Sequence, residues 1–86
     1  PYAEYQVRST DIDVGGHMNN TAYVRMIMGS LSNEERKALT IRRMDVIFRA
    51  SCYEGDVLSF RRKETEDGLD ILVSRGEETA LLVRIQ

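Results

Sequence analysis

A single segment with helical spacing is the feature that most constrains the fold of this chain. Within residues 21–31, the apolar side chains recur every three or four positions, which places them on one face of a helix. They are Ala22, Tyr23, Met26, Ile27 and Leu31. Asn19 or Asn20 is a good N-cap for this helix. Residues 32–39 begin with Ser32-Asn33-Glu34-Glu35, which predicts a capping box and a second, short helix.

The rest of the chain alternates apolar and polar side chains, which is the pattern of half-buried strands. Five such stretches occur, at residues 1–9, 43–52, 57–66, 69–74 and 79–86. The last four are separated by turn residues, which predict short turns between consecutive antiparallel strands; they are Glu54-Gly55-Asp56, Asp67-Gly68 and Gly76-Glu77-Glu78. We therefore predict an α+β domain in which an antiparallel five-stranded sheet wraps around one long helix.

The composition is that of one small globular domain. Of 86 residues, 42% are hydrophobic and 30% are charged. The longest apolar run is Ala80–Val83, whereas a membrane-spanning helix needs about 20 residues, so we expect no membrane span. The formal net charge of −2 argues against nucleic-acid binding. One cysteine (Cys52) and one histidine (His17) form neither a disulfide nor a Cys-rich zinc site, so we expect a cytoplasmic setting, no metal and no cofactor.

Charge and size both point to a partner. Residues 36–63 contain eight basic and three acidic residues, although the whole chain is slightly acidic. Such a segment either attracts an acidic partner or is an ordinary solvated strand face, and the sequence leaves both open. A small sheet also leaves its edge strands bare, which favours a homodimer.

The polar loop before the long helix carries residues with catalytic potential. A carboxylate such as Asp13 can activate water or attack a carbonyl carbon, and His17 can carry a proton near neutral pH. Backbone N–H groups of the Gly15-Gly16 loop and the helix N-terminus can stabilise an oxyanion. Each residue also has a structural interpretation, because aspartate and glycine are common in turns and a lone loop histidine usually bonds to backbone.

Residues 11–23, DIDVGGHMNNTAY, resemble the D-x-D-x-x-G-H-x-N-N-x-x-Y signature of hotdog-fold thioesterases, in particular the acyl-acyl-carrier-protein (acyl-ACP) thioesterases. Residues 48–58, FRASCYEGDVL, are similar to the aromatic-R-x-E-C and G-D-x-L segment of that family. The resemblance covers nearly the whole chain and implies a hotdog fold. Family members usually carry two hotdog repeats, so residues 1–86 are expected to be one hotdog domain, the C-terminal repeat of a longer chain.

The resemblance also implies roles for individual residues. Asp13 matches the catalytic aspartate of related hydroxybenzoyl-CoA-type enzymes, with His17 as its polar partner and Asp11 as a structural neighbour. The implied oxyanion and substrate-binding residues are Gly15, Gly16, Met18, Asn19 and Asn20. Cys52 and Ser51 are weaker candidates, because Cys52 falls in register with an apolar strand face. The plant and many bacterial members of the family have Asn at the position of Gly15 and Glu at the position of Ser51.

The resemblance thus implies a thioester hydrolase of fatty acid biosynthesis and lipid metabolism. Its substrate would be a fatty acyl thioester of acyl carrier protein or coenzyme A, and its product a free fatty acid. We expect a homodimer, or pairing with a second hotdog repeat, and no nucleic-acid partner. The alternative is a catalytically silent structural or acyl-binding half that needs a partner domain to complete the site.

Overall fold

The N-terminal part of the chain places the polar loop between an edge strand and the main helix. In a computed structural model, which describes residues 1–86, β1 (Ala3–Gln6) is followed by a 3₁₀ turn (Ser9–Asp11) and then by α1 (Asn20–Gly29). Asn19 is the N-cap of α1, because its Oδ1 accepts a hydrogen bond from the N–H of Ala22 at 2.8 Å. A short α2 (Asn33–Ala38) follows and begins with the predicted capping box.

The remaining elements are strands of one sheet: β2 (Met44–Phe48), β3 (Val57–Glu64), β4 (Leu69–Arg75) and β5 (Glu78–Ile85). The strand order is β1-β3-β4-β5-β2, and every neighbouring pair is antiparallel. The edges of the sheet are therefore β1 and β2. The predicted α+β fold, with a five-stranded antiparallel sheet and one longer helix, is confirmed.

The connection between β2 and β3 differs from the predicted series of hairpins. β2 pairs with β5, with Val46 opposite Val83, and does not pair with β3. The turn at residues 54–56 therefore lies in the connection that crosses from β2, at one edge of the sheet, to β3, next to the opposite edge. The predicted hairpin between β2 and β3 is wrong. Alternation predicts that a segment is a strand but does not say which strand it pairs with. β1 and β2 are also shorter than predicted, ending at Gln6 and Phe48.

The core lies between α1 and one face of the sheet. The predicted core residues Tyr23 and Met26 are buried, as are Ala22 and Ile27 beside them on α1. Facing them are buried side chains of the sheet, including Leu58, Phe60, Ile71, Val73, Leu81 and Val83. Neither helix is both long and apolar enough to cross a membrane.

Gly68 ends the turn between β3 and β4, and its small size matters more than its flexibility. A Cβ at this position would overlap the carbonyl oxygen of Ile85. Its φ is not in the left-handed region, in contrast with that of Gly16 at +84°. The close approach of two backbone segments therefore explains the glycine here.

Candidate active site

The loop of residues 12–19 is fixed by backbone hydrogen bonds on both of its arms. Within the loop, the N–H of Asp13 donates to the carbonyl of His17 at 2.9 Å. At its end, the N–H of Met18 donates to the carbonyl of Cys52 at 3.0 Å, and the N–H of Asn19 donates to the carbonyl of Asp11 at 2.9 Å. The loop is thereby attached to the segment that follows β2 and to the start of α1.

Asp11 anchors the beginning of this loop and is structural. The residue is only 2% exposed. One carboxylate oxygen accepts hydrogen bonds from the Tyr5 hydroxyl at 2.6 Å and from the N–H of Arg8 at 2.9 Å. The bond to Asp11 raises the pKa of Tyr5, because the neutral phenol is the donor. A buried carboxylate with these partners has a structural role, which is to stabilise the turn.

Asp13 and His17 are exposed and lie on either side of Gly15. The Asp13 Oδ1 accepts a hydrogen bond from the N–H of Gly15 at 2.9 Å. A Cβ at Gly15 would lie 3.2 Å from this oxygen and 3.6 Å from Nδ1 of His17. No hydrogen bond joins the two side chains, and Gly15, which lies between them, contributes no side chain that could bridge them.

Most backbone N–H groups of the expected oxyanion site are already used inside the chain. The N–H groups of Gly15 and Gly16 both donate to oxygens of Asp13. The N–H of Met18 donates to the Cys52 carbonyl, and the N–H of Asn19 donates to the Asp11 carbonyl. By contrast, the N–H groups of His17, Asn20 and Thr21 meet no acceptor in the chain. The last two belong to the first turn of α1, where the helix dipole also favours negative charge. The Asn19 cap satisfies Ala22 and leaves these two donors free.

A surface cleft of about 430 Å³ brings together part of the predicted site. Asp13, His17, Met18, Asn20 and Ser51 line it, together with Tyr23, Phe48, Arg49 and Ala50. Gly15, Gly16, Asn19 and Cys52 do not. Asp13, His17 and Asn20, whose backbone N–H is free, therefore line a single cleft.

Cys52 belongs to the core. Its side chain is fully buried, and its N–H donates to the Tyr23 hydroxyl at 3.2 Å. Burial raises the pKa of the Cys52 thiol, which keeps it protonated at neutral pH. A thiol of this kind is a poor nucleophile, and the preference for a core role is supported.

Tyr53 and Arg75 support the site but had not been predicted. The Tyr53 ring lies 5.5 Å from the His17 ring between centroids, tilted by 55°. Arg75 donates to the Ser51 carbonyl at 3.0 Å and to the Asp56 carboxylate at 2.7 Å. Asp56 in turn accepts a hydrogen bond from the N–H of Tyr53 at 2.9 Å. The sequence offered one signal, the G-D pair at residues 55–56, but gave no indication that Arg75 would reach it from β4.

These hydrogen bonds also set the ionisation of Asp56. Desolvation raises the pKa of its carboxyl group, but the hydrogen bonds from Tyr53 and Arg75 outweigh that effect. The net result is a pKa below the usual range. Asp56 therefore remains charged and holds residues 51–56 against Arg75.

The basic residues of segment 36–63 do not form one patch. Several of these basic residues lie next to β2 and several lie on β3, and β4 and β5 separate these two strands in the sheet. Arg62 pairs with Glu35 of α2, and Arg43 pairs with Asp45 at 3.0 Å. The excess of positive charge in the sequence is therefore dispersed over the surface.

Apolar side chains are exposed beside the cleft. Phe48 lines it and is 49% exposed, whereas the preceding Ile47 faces the other side of the sheet and is 56% exposed. Both lie on β2, whose outer edge has no partner strand. Val14, at the tip of the loop, is fully exposed. Exposed apolar groups next to a bare strand edge are typical of an interface.

An antiparallel sheet packed around one helix, with a polar loop leading into that helix, defines a hotdog-fold domain. The chain belongs to the acyl-ACP thioesterase family, since the profile of the acyl-ACP thioesterase C-terminal domain matches residues 2–84. No sequence among curated proteins matches the chain significantly.

Solved structures agree with this assignment. An acyl-ACP thioesterase from Bacteroides thetaiotaomicron is 30% identical, with a TM-score of 0.89 over 99% of this chain. The chain spans only 36% of that relative. A 1,4-dihydroxy-2-naphthoyl-CoA thioesterase from Synechocystis is 16% identical, with a TM-score of 0.72 over 96% of this chain and 76% of its own. A hypothetical protein from Aquifex aeolicus is 13% identical, with a TM-score of 0.79 over 100% of this chain and 94% of its own. These last two show the fold alone.

Proposed function

We propose that this domain hydrolyses fatty acyl thioesters and releases free fatty acids. The observation that carries the proposal is the single cleft lined by Asp13, His17 and Asn20, of which Asn20 has a free backbone N–H. The named activity of the Bacteroides relative favours acyl-ACP over acyl-CoA as the substrate. Cytoplasmic fatty acid biosynthesis is the setting that this substrate implies.

In the proposed reaction, Asp13 is the catalytic carboxylate. It takes a proton from a water molecule, whose oxygen then bonds to the carbonyl carbon, or it attacks that carbon directly. The N–H groups of Asn20 and Thr21 stabilise the negative oxygen of the tetrahedral intermediate. When the intermediate collapses, the carbon–sulfur bond breaks and the thiolate takes up a proton. In the direct route this collapse forms an anhydride between the acyl group and Asp13, which a water molecule then hydrolyses to release the fatty acid and restore the carboxylate. His17 is the polar partner that holds the attacking water or returns the proton.

We further propose that a second hotdog unit completes the site by pairing along β2. The support is the bare edge of β2, together with the exposed side chains of Phe48, which lines the cleft, and of Val14 at the tip of the loop. In the isolated chain this unit is a second copy. In a longer protein, of which residues 1–86 form the C-terminal repeat, it is the other repeat.

A catalytically silent half is the second candidate function, and one observation favours it. Asp13 and His17 are not hydrogen-bonded, and Gly15 has no polar side chain where the resembled family has Asn. Ser51 likewise lies in the cleft where that family has Glu. A network that depends on those polar groups would be incomplete here.

Hydrolysis assays separate the two candidates. The wild-type chain and the Asp13→Asn and His17→Ala variants are assayed with acyl-ACP and acyl-CoA, with the exposed turn residue Asp67→Asn as the matched control. We expect Asp13→Asn to lower kcat/KM by about 100-fold or more, whereas Asp67→Asn leaves it unchanged. A wild-type chain that binds acyl thioesters without turnover would establish the silent half instead.

Gly15→Asn tests whether the missing polar side chain limits the rate. The φ of Gly15 is not in the left-handed region, so an asparagine fits the backbone with only a small movement of the Asp13 carboxylate. Its amide would lie between Asp13 and His17. We expect a higher kcat if the polar network is limiting, and no change if Asp13 acts alone.

A further inference from the structure

No hydrogen bond orients the imidazole of His17. The backbone of this residue is fixed, because its carbonyl accepts from the N–H of Asp13 and the following N–H, that of Met18, is also bonded. Its ring forms neither a hydrogen bond nor an ion pair within the chain. Gly15 has no side chain that could bond to the ring, and the Ser51 hydroxyl forms no hydrogen bond either. The two side-chain torsions of His17 can therefore be set only by packing.

The ring of Tyr53 packs against this imidazole. The ring centroids are 5.5 Å apart and the ring planes are tilted by 55°. Favourable aromatic pairs have centroids about 4.5–7 Å apart, so this is an attractive contact. His17 lines the candidate cleft, whereas Tyr53 does not, so the tyrosine contacts the imidazole from outside the cleft. Tyr53 can therefore influence the orientation of the histidine without touching a substrate that is bound in the cleft.

Tyr53 is itself held by a tight turn and an ion pair. Its N–H donates to the Asp56 carboxylate at 2.9 Å, and its carbonyl accepts from the Asp56 N–H at 3.1 Å. Gly55 lies in this turn with a φ of +89°, a conformation that glycine adopts without strain. Arg75 on β4 donates to the Asp56 carboxylate at 2.7 Å and to the Ser51 carbonyl at 3.0 Å. The segment that carries Tyr53 is thus attached to the sheet on both sides of this residue.

We propose that Tyr53 is a positioning residue that holds the His17 imidazole in one orientation toward the cleft. The ion pair between Asp56 and Arg75 fixes the backbone of Tyr53, so the orientation of the imidazole is set from β4. The catalytic consequence rests on the proposed hydrolysis, in which His17 holds the attacking water or returns the proton.

The size of the kinetic effect follows from the torsions that the contact restricts. A histidine has about three staggered positions for χ1 and a roughly two-fold preference for χ2. If one combination suits the reaction, an unrestrained imidazole is in the productive orientation for about a third to a sixth of the time. We therefore expect Tyr53→Leu to lower kcat by about three- to sixfold and to leave KM unchanged, because the substrate still fits the cleft.

Two further variants show whether the ring itself is responsible. Tyr53→Phe keeps the aromatic contact, and the Tyr53 hydroxyl forms no hydrogen bond in the chain, so this variant should retain the wild-type kcat. Glu54→Leu introduces the same apolar side chain at the next exposed position and is the matched control. We expect it to leave both kcat and KM unchanged.

NMR spectroscopy tests the orientation without any substrate. His17 is the only histidine, so its ring resonances are assigned without ambiguity. In the wild type and in Tyr53→Phe, we expect nuclear Overhauser contacts between the two rings and Hα–Hβ couplings of a single χ1 rotamer. In Tyr53→Leu the couplings should become averages over several rotamers. Asp56→Ala should change them in the same direction, whereas Asp67→Ala, at an exposed turn position, should leave them unchanged.

The outcomes separate this proposal from the proposed hydrolysis. The positioning role is overturned if the wild-type couplings are already averaged, or if they are the same in Tyr53→Leu. It is equally overturned if Tyr53→Leu leaves kcat unchanged, or if Tyr53→Phe loses as much kcat as Tyr53→Leu. Unchanged couplings in Asp56→Ala would overturn the role of the ion pair with Arg75. A wild-type chain without turnover contradicts the hydrolysis, while the couplings still decide whether Tyr53 orients the imidazole.

Discussion

The N-cap Asn19 offers the sharpest test of how the loop before α1 is built. Its Oδ1 accepts a hydrogen bond from the N–H of Ala22 at 2.8 Å, and its Nδ2 donates to the Asp11 carbonyl at 3.1 Å. Asn19→Ala removes both bonds. It leaves the N–H of Ala22 without a partner, whereas the Asp11 carbonyl keeps the hydrogen bond from the backbone N–H of residue 19.

The expected cost follows from these two bonds. Loss of an N-cap costs about 1 kcal/mol, and loss of the second hydrogen bond costs about 1 kcal/mol more. A domain of this length usually unfolds with roughly 4–13 kcal/mol, so about 2 kcal/mol is a large part of the total. The corresponding decrease in Tm is roughly 8–16 °C. Asn19→Asp keeps the acceptor and adds negative charge at the helix N-terminus, so its cost should stay below about 1 kcal/mol.

Urea unfolding followed by circular dichroism measures these differences. The matched control is Asn20→Ala, the same substitution one residue later, where the side chain is exposed and forms no hydrogen bond. We expect the control to lie within about 0.5 kcal/mol of wild type. Equal stability of Asn19→Ala and Asn20→Ala would refute the reasoning, since it would mean that neither bond of Asn19 contributes to folding.

Three further predictions follow from single contacts. Gly29→Ala should stabilise the chain by about 0.5–1 kcal/mol, because a Cβ there contacts no other atom and alanine favours the helix. Gly68→Ala should strongly destabilise the chain, because its Cβ would overlap the Ile85 carbonyl. Thermal unfolding of the two variants and the wild type checks both expectations. Cys52 should resist iodoacetamide in the native state at pH 8 and react only on unfolding; rapid native labelling, measured by mass spectrometry, would contradict its burial. The folded-state pKa of Asp56 is lowered, so its contribution to stability is present above the unfolded pKa and is lost as pH falls through the folded pKa. The free energy of unfolding, measured from about pH 5 to about pH 2, should therefore depend less on pH in Asp56→Asn than in the wild type. An identical pH profile in the two proteins would be inconsistent with the ion pair between Asp56 and Arg75.

Local patterns were enough to predict the elements of this fold. The helical spacing of residues 21–31 gave α1 and its buried face, and the capping box at Ser32 gave α2. Alternation predicted all five strands, although it placed the ends of β1 and β2 several residues beyond their observed ends. Strand ends depend on where pairing stops, and pairing partners lie far away in the sequence. For the same reason, the pairing of β2 with β5 could not be predicted from turn residues.

The candidate site divides in the same way between sequence and structure. The types of residue in the loop, a carboxylate, an imidazole and glycines before a helix, come from the sequence itself, as does the family resemblance that the comparisons confirm. Which backbone N–H groups remain free was decided only by the folded loop, because hydrogen bonds to Asp13, Cys52 and Asp11 occupy the groups that seemed available. Arg75 reaches the loop from β4 for a similar reason. Side-chain chemistry is a property of each residue, whereas the availability of a donor and the orientation of a side chain depend on distant segments that meet only in the folded chain.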